Sequence, residues 1–185
     1  MNIDHSAPYI STVEEVISVQ ECLEWIQFID NQNPQAAPLH THKGEIYKPD
    51  YRNNERVMKS DPDYAAYLFQ KIKSDLPQTV FGWTIAGLNE LFRCYRYKPG
   101  MKFAPHSDGF YGRSKDERSF YTLLLYLNEV EAGGETGFFV APEVRISPKA
   151  GLALAFQHEI FHEGCEVKAG IKYVLRTDVM YRRMD

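Results

Sequence analysis

The chain has 185 residues, with 21 Lys and Arg against 25 Asp and Glu, a formal charge of −4. A hydrophobic share of 44% beside 25% charged residues is that of an ordinary soluble globular protein, which excludes disorder for the bulk of the chain. The mild negative charge argues against a general nucleic-acid-binding face, since such a face needs clustered cations; the longest basic cluster is Arg182-Arg183.

Two helices are predicted first. Ser18-Val-Gln-Glu21 fits a capping box, and Leu23, Ile26, Phe28 and Ile29 follow at helical spacing until Asn31-Gln-Asn-Pro34, which predicts a helix over 19–31. Asp61-Pro62 is a second start signal, with Tyr64, Leu68 and Ile72 sharing a face until Leu76-Pro77. Between them, His40 to Lys59 shows no period and reads as a long ordered loop, a type that is usually functional or disordered. From residue 88 onward, short segments rich in aromatic and β-branched residues are bounded by Gly or Pro. They predict strands near 90–98, 101–106, 119–128, 136–140, 143–147, 151–157, 164–168 and 171–181.

Eight short strands after two helices predict a mainly β fold, a double-sheet barrel with the helices on one outer face. The length suits one domain over 1–185, with helical support to about residue 87. The 11 Phe, 12 Tyr and 2 Trp suit pleated surfaces and pocket walls, so a lined cavity is expected. Cys22, Cys94 and Cys165 form no CxxC pair and read as free thiols, the start carries no leader pattern, and no apolar run approaches a membrane span. Together these predict a cytoplasmic protein with no membrane partner. Oligomeric state is not legible.

Three residues could share a metal. In an extended segment His106 and Asp108 point to the same side, and His162 follows an apolar strand, Gly151–Phe156. Two histidines and a carboxylate suit non-haem Fe(II) with open positions, while zinc with three protein ligands is the competitor; the ligand set does not separate them. Lys172 and Arg176 stand at alternate positions of a strand that otherwise reads as buried. An unpaired buried cation is costly, so an anionic ligand between the sheets is one reading, and snorkelling or pairing with Asp178 is the other.

Four stretches, in order, carry a resemblance: Arg96-Tyr-Lys-Pro-Gly-Met-Lys-Phe-Ala-Pro-His-Ser-Asp108, Tyr121-Thr-Leu-Leu-Leu-Tyr-Leu-Asn128, Gly133-Gly-Glu-Thr-Gly-Phe138 and His162-Glu-Gly-Cys-Glu-Val-Lys-Ala-Gly-Ile-Lys-Tyr173. They resemble the Fe(II)- and 2-oxoglutarate-dependent dioxygenases, specifically the prolyl 4-hydroxylase-like branch. The resemblance implies a double-stranded β-helix, or jelly roll, with iron on His106, Asp108 and His162. It implies 2-oxoglutarate and O2 as cosubstrates, ascorbate as support, and release of succinate and CO2 on hydroxylating an unactivated C–H bond. Lys172 matches the residue pairing with the cosubstrate's C5 carboxylate, Tyr126 one assisting there, and Tyr97 one lying near the cosubstrate.

Two features depart from that pattern. Arg176 lies where many relatives have a small or apolar residue, so it would share the cosubstrate carboxylate or contact an acidic substrate group. Arg52-Asn-Asn-Glu-Arg56 is not the peptide-binding pattern of the collagen-type enzymes, so a prolyl substrate is not implied. The rim residues Arg52, Asn53, Asn54 and Arg56, the insert Phe110–Arg118 and Arg176 point to an anionic amino acid, peptide or other small polar substrate, with Arg52, Asn54 and Arg176 as candidate contacts. A solvated charged loop is the plain alternative. His158, four residues before a ligand, reads as a loop residue. A zinc hydrolase on the same ligands, a non-catalytic binding domain and a nucleic-acid demethylase are the competing functions.

Overall fold

A computed structural model describes residues 8–41 and 44–184, without the side chains of His40 and Thr41. In chain order the elements are Ile10–Val13 (β1), the helix Val19–Asn31 (α1), Gln35–Ala36 (β2), Leu39–Thr41 (β3), Gly44–Ile46 (β4), Glu55–Ser60 (β5) and the helix Pro62–Ile72 (α2) with a 3-10 turn, Lys73–Asp75. Then come Thr79–Val80 (β6), Trp83–Leu88 (β7), Leu91–Tyr97 (β8), Phe103–His106 (β9), Gly112–Ser114 (β10), Glu117–Tyr126 (β11), Ala132–Gly133 (β12) and Thr136–Phe138 (β13). Val144–Ile146 (β14), Ala153–Gln157 (β15), His162–Gly164 (β16), Val167–Ala169 (β17) and Lys172–Arg183 (β18) complete it.

Two antiparallel layers make the jelly roll. One contains the run β15-β11-β18-β8 and the other is β14-β13-β16-β9. Strict alternation decides what faces where. On β11, Tyr121, Leu123 and Leu125 join the cluster that includes Trp25, Ile29 and Leu68 of the helices, while Leu124 and Tyr126 turn inward toward Phe138 and Phe156. On β18, Tyr173, Leu175 and Val179 face the helices, whereas Lys172, Val174 and Arg176 line the interior.

Both helices begin as the sequence predicts. The Ser18 hydroxyl accepts from the Glu21 N–H and the Glu21 carboxylate accepts from the Ser18 N–H, and the Asp61 carboxylate accepts from the Tyr64 N–H with Pro62 at the first position. Asp30 ties α1 to the large sheet, accepting from Arg96 Nη1 at 2.6 Å and the Tyr173 hydroxyl at 2.9 Å.

The N-terminal half is less purely helical than its periodicity suggests. β1 extends the large sheet beside β15, β5 and β2 extend it beyond β8, and β7 pairs with the end of β18. The segment read as one loop over 40–59 therefore contains strands: β5 is a six-residue strand and β3 and β4 form a small hairpin. Residues 42 and 43 of that segment lie outside the described residues, as do residues 1–7 of the predicted leaderless start. The strand predicted at 164–168 is two short strands, β16 and β17, paired to different partners. β5, between β8 and the two-residue edge strand β2, reads ERVMKS, charged residues around a short apolar pair, so a search for apolar runs passes over it.

Candidate active site

His106 ends β9 and His162 opens β16, and the two are directly opposed partners in the antiparallel ladder. Sequence separation is thus erased by strand pairing, and the ring centroids stand 4.3 Å apart. Asp108 follows two residues on, its N–H bonded to the His158 carbonyl at 2.7 Å. Asp108 Oδ1 lies 3.7 Å from His106 Nε2, and Asp108 Oδ2 lies 3.7 Å from His162 Nε2. One ligand atom from each of the three residues falls within 4.8 Å of the others.

The protonation pattern suits a cation. His106 Nδ1 faces the Ala104 carbonyl and His162 Nδ1 the Ile160 carbonyl, each at 2.8 Å. A carbonyl only accepts, so both Nδ1 atoms carry hydrogen and both Nε2 lone pairs point toward Asp108. Burial pushes His106 down to about 4, aided by His162, and burial lowers His162 as well. Burial would raise Asp108, but Arg176, the two histidines and Thr122 outweigh it and hold the carboxyl well below its usual range. Two neutral imidazoles and one carboxylate are the forms a metal binds, so this donor set fits a divalent ion. Phe103 stacks on His106 at 3.6 Å and 18°, fixing the ring plane.

The same cavity, about 420 Å³, runs from these three residues to Lys172, past Tyr95, Tyr97, Thr136 and Arg176. Lys172 lies opposite Tyr97 across the β18–β8 ladder and is 2% exposed. Its Nζ donates to the Gly134 carbonyl at 2.7 Å and sits 5.2 Å from the Tyr97 ring and 5.4 Å from the Tyr126 ring. Burial lowers it to about 8, against the pull of Cys165 and Glu135. It neither snorkels nor pairs with Asp178, which takes Arg93 at 3.2 Å and the Asn89 amide at 3.0 Å, whereas Arg176 does reach Asp178, its Nη2 3.9 Å from Oδ1. Tyr126 is fully buried with its hydroxyl 2.6 Å from Thr136 Oγ1, and burial raises both Tyr126 and Tyr97.

Gly133 makes the Gly134 turn possible. Its φ is +74°, and a Cβ there would stand 2.2 Å from the Glu166 carbonyl oxygen, so only glycine fits.

Arg176 projects from the same strand face as Lys172, but four residues along a strand is roughly 13 Å. It therefore sits at the metal end, with Nη2 3.0 Å from Asp108 Oδ1, and its Nε is buried without a hydrogen-bond partner. Arg52 is 6% exposed, with Nε donating to Asn54 Oδ1 at 2.8 Å and Nη1 to the Pro38 carbonyl at 3.3 Å, while Nη2 has no partner. Its guanidinium covers Phe103 at 4.3 Å and Tyr95 at 5.0 Å. Burial would raise the Tyr95 hydroxyl, yet Arg52, Arg176 and Arg93 together leave it lowered.

Other rim residues are already engaged. Asn54 is fully buried, its Oδ1 accepting from Arg52 Nε and its Nδ2 donating to the Glu55 carbonyl, so it holds Arg52 in place. Asn53 bridges to the Gly100 carbonyl and Lys102 N–H, Arg56 reaches Glu45, and Arg113 of the insert pairs with Glu90 and Glu117. Arg118 stacks on Phe110 at 3.7 Å beside a second cleft, about 500 Å³, that shares Asp108 and includes Phe81, Phe120 and His158.

Sequence reasoning passed over Thr122, Thr136 and Tyr95; His158 lies in the turn after β15, as read, but is 4% exposed and hydrogen-bonded through both ring nitrogens. Thr122 carried a signal, being a polar residue at an inward position of an apolar strand. His158 carried none, because its partners come from a strand 36 to 39 residues earlier.

Residues 92–177 match the 2OG-Fe(II) oxygenase superfamily, the span that contains all of these ligand candidates. The chain is 25% identical over 192 residues to prolyl 4-hydroxylase 1 of Arabidopsis thaliana, covering 90% of this chain and 67% of that protein. It is 37% identical over 73 residues to probable prolyl 4-hydroxylase 11 of the same plant, covering 36% of this chain and 24% of that one. Among solved structures, a viral collagen prolyl hydroxylase from Paramecium bursaria Chlorella virus-1, in a 2OG complex, superposes with TM-score 0.66 at 19% identity, over 97% of this chain and 99% of that one. A prolyl hydroxylase in complex with a hypoxia inducible factor peptide fragment from Trichoplax adhaerens reaches TM-score 0.70 at 14% identity, over 94% and 84%. At such identities these structures establish the shared fold.

The match over residues 92–177, together with the prolyl 4-hydroxylase relatives, supports a 2OG-Fe(II) oxygenase that is prolyl hydroxylase-like. The matched domain and these relatives support a 2-oxoglutarate-dependent dioxygenase, and 2OG-Fe(II) oxygenases use Fe(II), 2-oxoglutarate and O2. The same comparisons favour the dioxygenase over the zinc hydrolase and the non-catalytic reading. Among the described residues no helix is long and apolar enough to cross a membrane.

Proposed function

We propose that His106, Asp108 and His162 hold the iron, that Lys172 binds the C5 carboxylate of 2-oxoglutarate with Tyr126 and Tyr97 as its walls, and that the substrate is a carboxylate-bearing amino acid or peptide residue. The observation that carries this reading is a single cavity with two imidazole lone pairs and a carboxylate at one end and a buried ammonium at the other.

When bound, Fe(II) with 2-oxoglutarate and O2 supplies the oxidising power that turns a substrate C–H into C–OH while 2-oxoglutarate becomes succinate and CO2. The protein's own part is orientation and exclusion of water. Lys172, desolvated between two phenol rings, gives a carboxylate more than a surface lysine would, because the local dielectric is low. Phe103 on His106 and Phe156 on His162 keep the histidine end apolar.

The substrate class follows from charge. With a divalent ion on Asp108 and a dianion at Lys172, the Arg52 and Arg176 guanidiniums still flank Tyr95, each with one buried N–H bearing no partner. Such groups are costly unless an anion meets them. A substrate carboxylate placed there would sit beside the metal end of the cavity. Arg52 and Arg176 are therefore its proposed contacts, and Asn54 acts through Arg52.

The test is turnover of candidate free amino acids and peptides with Fe(II), 2-oxoglutarate and ascorbate, read by mass spectrometry for the gain of one oxygen and by succinate release. Carboxylate substrates should be hydroxylated and their carboxamides should not. Turnover of both alike would sink the carboxylate reading while leaving the dioxygenase intact.

A further inference from the structure

Around the Asp108 side chain lies a closed set of hydrogen bonds whose directions follow from the donors and acceptors present. Thr122 Oγ1 lies 2.5 Å from Asp108 Oδ2 and 2.9 Å from His158 Nδ1. An ionised carboxylate only accepts, so the single Thr122 proton goes to Asp108 and the Thr122 oxygen must accept from His158. His158 Nδ1 therefore carries hydrogen, whatever its partner on the other side.

That other side is equally determined. Ser119 Oγ stands 2.7 Å from His158 Nε2 and also accepts the Tyr111 N–H at 2.8 Å. With hydrogen on Nδ1, the neutral ring leaves Nε2 bare, and the Ser119 hydroxyl donates to it. The chain of donors thus runs Tyr111, Ser119, His158, Thr122, Asp108. The backbone closes the ring, because the Asp108 N–H donates to the His158 carbonyl at 2.7 Å.

We propose that His158 is a positioning residue for the metal-binding carboxylate: by fixing the Thr122 hydroxyl as a donor, it holds Asp108 in one orientation while Arg176 holds its other oxygen. Without His158, the Thr122 hydroxyl loses its second partner, and it can rotate away from Oδ2. The carboxylate then has two orientations where it had one. Partners of this kind typically contribute 10- to 100-fold to metal affinity. The proposal rests on the reading of Asp108 as a metal ligand.

The experiment is Mn(II) binding to the full chain, followed by electron paramagnetic resonance of the free ion. His162→Ala serves as the control on the ligand reading: if it binds Mn(II) as the unaltered protein does, that reading fails by itself. His158→Phe and Thr122→Val should each weaken binding about 10- to 100-fold, and the double variant should be no weaker than Thr122→Val alone. His158→Asn places an amide N–H near the position of Nδ1 and should restore affinity. His158→Gln places it near Nε2 and should not. Melting temperatures of these variants separate this from a packing role, which would not distinguish Asn from Gln. Unchanged affinity in His158→Phe, equal behaviour of Asn and Gln, or multiplied losses in the double variant would each overturn the proposal.

Discussion

The Lys172 ammonium is 2.7 Å from the Gly134 carbonyl oxygen, and among the described residues no carboxylate pairs with it. A neutral acceptor steadies the ammonium but leaves its charge uncompensated, and burial accordingly lowers it to about 8. The groups facing it are Tyr97 from β8, Tyr126 from β11, and Cys165 and Glu135 from the turns.

Affinity for 2-oxoglutarate should therefore be greatest below pH 8 and fall as pH rises above it, since the carboxylate needs the charged lysine. Lys172→Arg, which stays charged, should lose this pH dependence. Lys172→Met should bind weakly at every pH. Titration of 2-oxoglutarate into the Mn(II)-loaded protein between pH 7 and 10 checks all three. The stability sign is opposite: above about pH 8 the folded lysine is neutral while the unfolded one still binds a proton, so its contribution to stability rises from about pH 8 toward its ordinary value near 10.5.

Replacing either opposed histidine removes one of only two imidazole donors. His106→Ala and His162→Ala should each abolish measurable Fe(II)- and 2-oxoglutarate-dependent succinate formation, while far-ultraviolet circular dichroism stays that of the unaltered fold. Turnover retained in His162→Ala would move the ligand elsewhere.

Arg52→Met should raise the substrate KM by about 10- to 100-fold, the loss of one charged hydrogen-bonded contact. The change should be much smaller for the corresponding carboxamide. Steady-state kinetics on the pair measures it, and equal effects on both would return Arg52 to a packing role.

Gly133→Ala should destabilise the fold by about 2 kcal/mol or more, because a positive φ and a backbone overlap act together. A lowered urea midpoint with unchanged slope is the expected record. The displaced Gly134 carbonyl should also weaken 2-oxoglutarate binding.

Much of this was legible in one dimension. Ser18 with Glu21 and Asp61 with Pro62 announce the helices, since capping is a contact among neighbours in sequence. Alternation along β11 and β18 announces buried strands, and the inward position of Lys172 follows from the same period. The strands β1, β5 and β7 were not legible, because short or mixed-polarity segments become strands only when a sheet edge offers hydrogen-bond partners.

What the sequence by itself determined, then, is which side chains share a face: His106 with Asp108, and Lys172 with Arg176. Only the tertiary structure decided which faces meet. The β9–β16 ladder sets His106 opposite His162, the bend at 158 brings a histidine under Thr122, and the length of β18 carries Arg176 to Asp108 and away from Lys172. Local periodicity follows from backbone geometry, whereas convergence depends on strand register, a property of two distant segments at once.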